Sequence, residues 1–135
     1  TFTDIDDKII KKMQDTNQTL EEITQHYIKS YLNDMKALNI LPNTIEPKAT
    51  QNLDAMKNLV SNLLQQDKAY ILDDGVYFDT SKDNLYGTIS HQISDENSQS
   101  RVKQNNQKRD EKDFALWKFN TNTVSFDAPF GAGRP

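Results

Sequence analysis

The chain has 135 residues, of which 35% are hydrophobic and 27% charged, with a formal net charge of −4. That size suits one domain, or one and part of another, and the acidic balance argues against a chain built wholly for nucleic-acid backbones while leaving room for a local basic patch. It has no cysteine, so a disulfide framework and a thiolate zinc site within these residues are both excluded, and no apolar run nears the roughly 20 residues that span a bilayer.

Thr1 is not a start methionine, and no charged-then-apolar leader opens the chain. Pro135 follows a Gly131-Ala132-Gly133-Arg134 loop. The expectation is the middle of a longer, cytoplasmic protein. In residues 1–15, Thr3 or Asp4 is placed to cap a helix with Asp6 and Asp7 in its first turn, and Ile5, Ile9 and Met13 share one face. Asp4, Asp6 and Asp7 also have the look of a metal loop. Counted from Asp4, the sixth residue is Ile9 rather than glycine and the twelfth is Asp15 rather than glutamate, so capping and solvation explain them better than calcium does.

Thr19-Leu20-Glu21-Glu22 fits a capping box that opens a second helix. Leu20, Ile23, Tyr27, Tyr31, Met35 and Leu38 recur at helical steps, widened by Ile28 and Leu32 into a face expected to be buried. Asn39 and Pro42 end it. After a loop holding Pro42 and Pro47, Thr50 or Asn52 is placed to cap a third helix with Leu53, Met56, Leu59, Val60, Leu63 and Leu64 on its apolar side.

The period then shifts to two. Ala69-Tyr70-Ile71-Leu72 and Val76-Tyr77-Phe78 flank Asp73-Asp74-Gly75, a strong hairpin signal. A third short strand is expected near Thr88-Ile89-Ser90. Residues 94–112 are polar, with Val102 the only aliphatic, and read as a loop. Phe114-Ala115-Leu116-Trp117-Lys118 reads as a strand, with Phe114 and Leu116 on one face and Ala115 and Trp117 on the other. Two phenylalanines, Phe126 and Phe130, then surround a turn at Pro129.

Catalytic signals are sparse. His26 and His91 have no partner histidine at ligand spacing, and no nucleophile elbow or phosphate-cradling glycine loop is present. Arg101, Lys103, Lys108 and Arg109 form the one basic cluster. With Trp117 and Tyr86 nearby in sequence it has the charge and rings that RNA contact uses. The alternative is a solvated loop offset by Asp110, Glu111 and Asp113.

Several runs together carry more weight than any one. Thr3-Asp4-Ile5-Asp6-Asp7-Lys8-Ile9-Ile10, Asp34-Met35-Lys36-Ala37-Leu38 and Ile45-Glu46-Pro47-Lys48-Ala49-Thr50 resemble segments of the cysteinyl-tRNA synthetases. Gly75-Val76-Tyr77-Phe78-Asp79, Tyr86-Gly87, Lys108-Arg109-Asp110 with Asp113-Phe114-Ala115-Leu116-Trp117-Lys118, and Gly131-Ala132-Gly133-Arg134-Pro135 follow in the family's order. Departures are Gln99-Ser100 before Arg101-Val102, Glu111 for a usual proline, and Phe126 and Phe130 for usual tryptophans. The cysteine ligases of mycothiol synthesis share the opening run but tend to lose the lysine that is Lys8 here.

The resemblance implies an α+β chain: three helices, then a small antiparallel β insertion, within a class I nucleotide-binding (Rossmann-like) catalytic domain. Residues 1–67 would be the helical part and 68–135 the connective insertion with its hairpin and polar loop. It implies an enzyme that activates cysteine with ATP and esterifies tRNA(Cys), with a zinc ion that binds the substrate thiolate. The family's His-Ile-Gly-His and Lys-Met-Ser-Lys-Ser runs and its zinc ligands are not in these residues. No catalytic or metal-binding residue is therefore expected here, the chain alone is expected to be inactive, and neither ATP nor zinc is expected to bind it. Thr3 matches the threonine that lies beside the bound cysteine. The alternative from a different class is a free-standing RNA-binding module using Arg101, Lys103, Lys108 and Arg109. Without the parallel sheet that the resemblance implies beyond these residues, the helices expected at 19–38 and 52–66 would lose a packing partner and expose apolar faces, which is expected to favour self-association.

Overall fold

The computed structural model describes residues 1–89, 107–119 and 124–135. It bears out three helices followed by an antiparallel sheet: α1 (Asp7–Thr16), α2 (Leu20–Ala37) and α3 (Leu53–Gln65), then β1 (Ala69–Leu72), β2 (Gly75–Phe78), β3 (Phe114–Phe119) and β4 (Gly133–Arg134). Short 3-10 turns sit at Ala49–Gln51 and Thr80–Lys82. The chain divides into two compact units, the first resting on Thr1–Met56 and the second on described residues between Lys57 and Arg134. No helix among the described residues is long and apolar enough to cross a membrane.

In the first unit, Asp6 rather than Thr3 or Asp4 caps α1, its carboxylate accepting from the Lys8 amide at 2.8 Å. Asp4 is drawn off by a distant partner, described below. Asn17 ends α1 at φ 54, the left-handed conformation that asparagine tolerates. The capping box of α2 is complete: the Glu22 amide donates to the Thr19 hydroxyl, and the Thr19 amide donates to the Glu22 carboxylate at 2.8 Å. The Thr19 amide first, and then the Thr19 hydroxyl, which donates to the same carboxylate at 2.9 Å, hold the Glu22 carboxyl below its ordinary range. Asn39, at φ 57, ends the helix, and the Ile40 amide reaches back to the Met35 carbonyl at 3.0 Å.

The apolar face of α2 is not the buried stripe its spacing suggests. Ile23 is buried, but Tyr27, Tyr31, Leu32 and Leu38 are 51%, 42%, 40% and 66% exposed. Neither residue expected to cap α3 does so with its side chain. The Thr50 hydroxyl turns to Asp4, and the Asn52 amide group donates back to the Lys48 carbonyl.

In the second unit the strands run in the order β1-β2-β3-β4, all antiparallel. Leu72 faces Gly75 across a two-residue turn of Asp73 and Asp74, as the hairpin signal predicts. β2 and β3 pair Val76 with Trp117 and Tyr77 with Ala115, so Leu116 falls in a bulge. The bulge breaks the simple alternation expected of β3. Val76 and Trp117 are both fully buried, while Phe114 is 40% exposed. Thr88 and Ile89 lie in turns, not in the strand expected there, and Ile89 is 97% exposed. The Thr88 amide and hydroxyl both bond the Leu85 carbonyl, which commits this segment to turn geometry.

β4 closes the sheet through a close backbone approach. Phe126 and Gly133 exchange both amide–carbonyl bonds, at 2.7 and 3.0 Å. Phe130 meets the Trp117 ring edge-on at 5.6 Å. A Cβ at Gly133 would collide with the Lys118 carbonyl and lie 2.7 Å from the Trp117 indole nitrogen. Gly133→Ala is therefore expected to lower stability by about 2 kcal/mol or more through overpacking. Urea unfolding followed by Trp117 emission and far-UV dichroism checks this, and an unchanged midpoint would refute it.

Candidate functional site

Thr3, the expected substrate contact, is exposed and sits in an extended segment before α1. Its neighbours on both sides are fixed. The Phe2 amide donates to the Pro47 carbonyl at 2.9 Å, and the Ala49 amide donates to the Phe2 carbonyl at 3.0 Å, a parallel bridge. Asp4, only 6% exposed, accepts from the Thr50 amide at 2.9 Å and the Thr50 hydroxyl at 2.6 Å. Thr3 lies between these anchors and lines an open cavity of about 440 Å³. Phe2 and Tyr31, edge-to-face at 5.7 Å, form part of its apolar wall. Asn43 and Glu46, bonded to each other at 2.9 Å, add a polar side. The cavity thus offers an apolar surface with a hydroxyl, an amide and a carboxylate, a set suited to a small zwitterion.

The basic cluster is only partly described. Arg101 and Lys103 lie outside the described residues. Lys108 is half-buried, its ammonium 3.5 Å from the Glu111 carbonyl and 5.9 Å from the Tyr77 ring centre. Arg109 is not offset by Asp110, Glu111 or Asp113 as the loop reading supposes. Its guanidinium pairs with Asp79 at 3.1 Å and stacks over Tyr70 at 4.3 Å. Asp79 is buried, while the Arg109 side chain stays 54% exposed. The Ser81 hydroxyl, more than Arg109, holds the Asp79 carboxyl below its ordinary range, outweighing the upward push of burial.

Sequence reasoning missed the centre of this second cluster. Asp113, 1% exposed, accepts from the Tyr70 hydroxyl at 2.6 Å, the Thr80 amide and hydroxyl at 2.9 Å each, and the Asp110 amide at 3.1 Å. The Arg109 amide in turn donates to the Tyr70 oxygen at 3.1 Å. The one available signal was an aspartate set directly before an apolar strand. A charge there is tolerated inside only when its oxygens are filled.

Among the described residues no group of three or more histidine, cysteine, aspartate or glutamate side chains could hold a metal ion. With no cysteine in the chain, these residues do not fit a thiolate-type zinc site. Asp6 caps a helix, and His26 packs edge-on against Tyr27 at 5.2 Å. His91 lies outside the described residues.

The fold and this placement of signature residues meet one family. The family described as the tRNA synthetases class I (C) catalytic domain matches residues 1–135, and the chain belongs to it. Its relatives are more particular. The cysteine–tRNA ligase of Aliarcobacter butzleri (strain RM4018) is 69% identical over 135 residues, covering 99% of this chain and 29% of its own length. Those of a Nitratiruptor species and a Sulfurovum species are 56% and 51% identical over 137 residues, covering 99% of this chain and 29% and 30% of their own lengths. The chain therefore spans about three-tenths of the length of the curated relatives it matches.

Burial first, and then the bond to Asp113, push the Tyr70 phenol from its ordinary 10 to about 12. Between those values the unfolded chain binds fewer protons than the folded one, so stability falls as pH rises from about 10 through about 12. Spectrophotometric titration of the five tyrosines is expected to show a tyrosinate step near 12 that Tyr70→Phe abolishes. Persistence of that step in the variant would contradict the assignment.

Proposed function

We propose that this chain is a central part of the catalytic domain of a cysteine–tRNA ligase, which activates cysteine with ATP and attaches it to tRNA(Cys) in the cytoplasm. The observation that carries the reading is 69% identity over 135 residues to a curated cysteine–tRNA ligase. In this reading residues 1–67 belong to the helical part of the nucleotide-binding domain and 68–135 to the connective insertion. Zinc and the ATP-binding runs are supplied by the remainder of the ligase. When bound, zinc would hold the substrate thiolate.

Within this chain, Thr3 is the substrate contact. Its hydroxyl both donates and accepts, so it suits the amino or carboxylate end of cysteine at the cavity mouth. Arg101, Lys103 and Lys108 are the residues to meet RNA. Arg109, its side chain 54% exposed, stands beside Lys108 in the chain with its guanidinium charge partly offset by Asp79. Alone, the chain lacks the preorganised donors that adenylate formation needs and is inactive. The exposed face of α2, with Tyr27, Tyr31, Leu32 and Leu38, supports self-association of the chain in isolation.

The test is a chimera in which this segment replaces the matching 29% of the Aliarcobacter butzleri ligase. Cysteine-dependent ATP–pyrophosphate exchange is expected within about tenfold of the unaltered enzyme, a barrier change of about 1.4 kcal/mol, and none from the 135-residue chain alone. A folded chimera without exchange would sink the assignment. Exchange by the isolated chain would overturn its inactivity.

A further inference from the structure

The link between Asp4 and Thr50 joins two signature runs that lie 46 residues apart. Both carboxylate oxygens are used, one by the Thr50 amide and one by its hydroxyl. Such a pair fixes both distance and orientation, because one residue supplies both donors from a rigid backbone–side-chain geometry. A buried carboxylate is a costly way to gain stability, since desolvation offsets much of the attraction. Its return is geometric specificity.

That specificity falls on one residue. The Phe2 bridge fixes the chain just before Thr3, and the Asp4–Thr50 pair fixes it just after. Thr3 itself is exposed and lines the cavity. The same Phe2 whose backbone is bridged also packs its ring on Tyr31 in the cavity wall. The chain on both sides of Thr3 is therefore tied to residues 47–50.

We infer that Asp4 and Thr50 are positioning residues for the amino-acid substrate, holding the Thr3 hydroxyl at the cavity mouth. This rests on the reading of Thr3 as the cysteine contact. Thr50→Val keeps the shape and the amide bond but removes the hydroxyl from a buried carboxylate, letting residues 2–4 shift. Thr50→Ser retains the hydroxyl.

Two measurements test it. In the chimera, Thr50→Val is expected to raise KM for cysteine about tenfold, as a small misplacement of a contact group does. KM for ATP should stay within about twofold, and Thr50→Ser should restore the cysteine value. A general folding defect would instead lower kcat and affect both substrates, and Ser would not selectively rescue cysteine. An unchanged cysteine KM in Thr50→Val, alongside a raised one in Thr3→Val, would overturn the positioning role alone. An unchanged cysteine KM in Thr3→Val would overturn the contact reading and this inference with it. In the 135-residue chain, the Thr3 methyl resonance should move in Thr50→Val and hold in Thr50→Ser. A resonance unmoved by Thr50→Val would refute the inference whatever the chimera does.

Discussion

The structure depends on burying aspartates without leaving any of them short of donors. Asp113 takes four bonds from Tyr70, Thr80 and Asp110. Asp4 takes two from Thr50, and Asp79 is met by Ser81 and Arg109. A thinly hydrophobic chain would ordinarily place such groups in water, because an unpaired buried charge costs several kcal/mol. Here Asp4 and Asp113 gather polar hydrogens from chain 33 to 46 residues distant and tie that chain to their own segments. Each unit thus has an internal polar tie of its own, in addition to its apolar core.

The ties shape what each unit can do. In the first, the bond at Asp4 leaves Asp6 to cap α1 and leaves Thr3 facing the cavity. In the second, the network around Asp113 runs through Tyr70 to the Arg109 backbone, while Asp79 holds the Arg109 guanidinium. A basic side chain held in this way is oriented rather than free to sweep. This distinguishes Arg109 from a solvated lysine, and it explains why Asp110, Glu111 and Asp113 do not simply cancel the charge beside them in sequence. The nearest acidic residues in the chain are not the ones that pair with Arg109.

Local signals were legible because they act locally. The Thr19–Glu22 box, the stop at Asn39 and the turn at Asp73-Asp74-Gly75 each concern groups within a few residues, and each stands where its signal lies. The ordered signature runs made the family legible as well. What the sequence hid was competition. Thr50 had equal claims as a helix cap and as a partner for a distant carboxylate, and the buried carboxylate won. Asp4 lost its place as a cap for the same reason. Of the strand expected at residues 88–90, Thr88 and Ile89 lie in turns held by bonds from Thr88 to the Leu85 carbonyl, and Ser90 lies outside the described residues. The two-residue β4 had no period to read and exists because glycine lets its backbone close on Lys118. The bulge at Leu116 shifted a register that alternation alone could not anticipate.

Buried aspartates tie distant segments through particular amides. Native-state hydrogen exchange at the Thr50 and Thr80 amides is the decisive measurement of these ties. Both donate to a carboxylate at 2.9 Å. Strong protection is expected at both, with selective loss at Thr50 in Asp4→Ala and at Thr80 in Asp113→Ala. Exchange of both amides at unprotected-loop rates in the unsubstituted chain would contradict these ties.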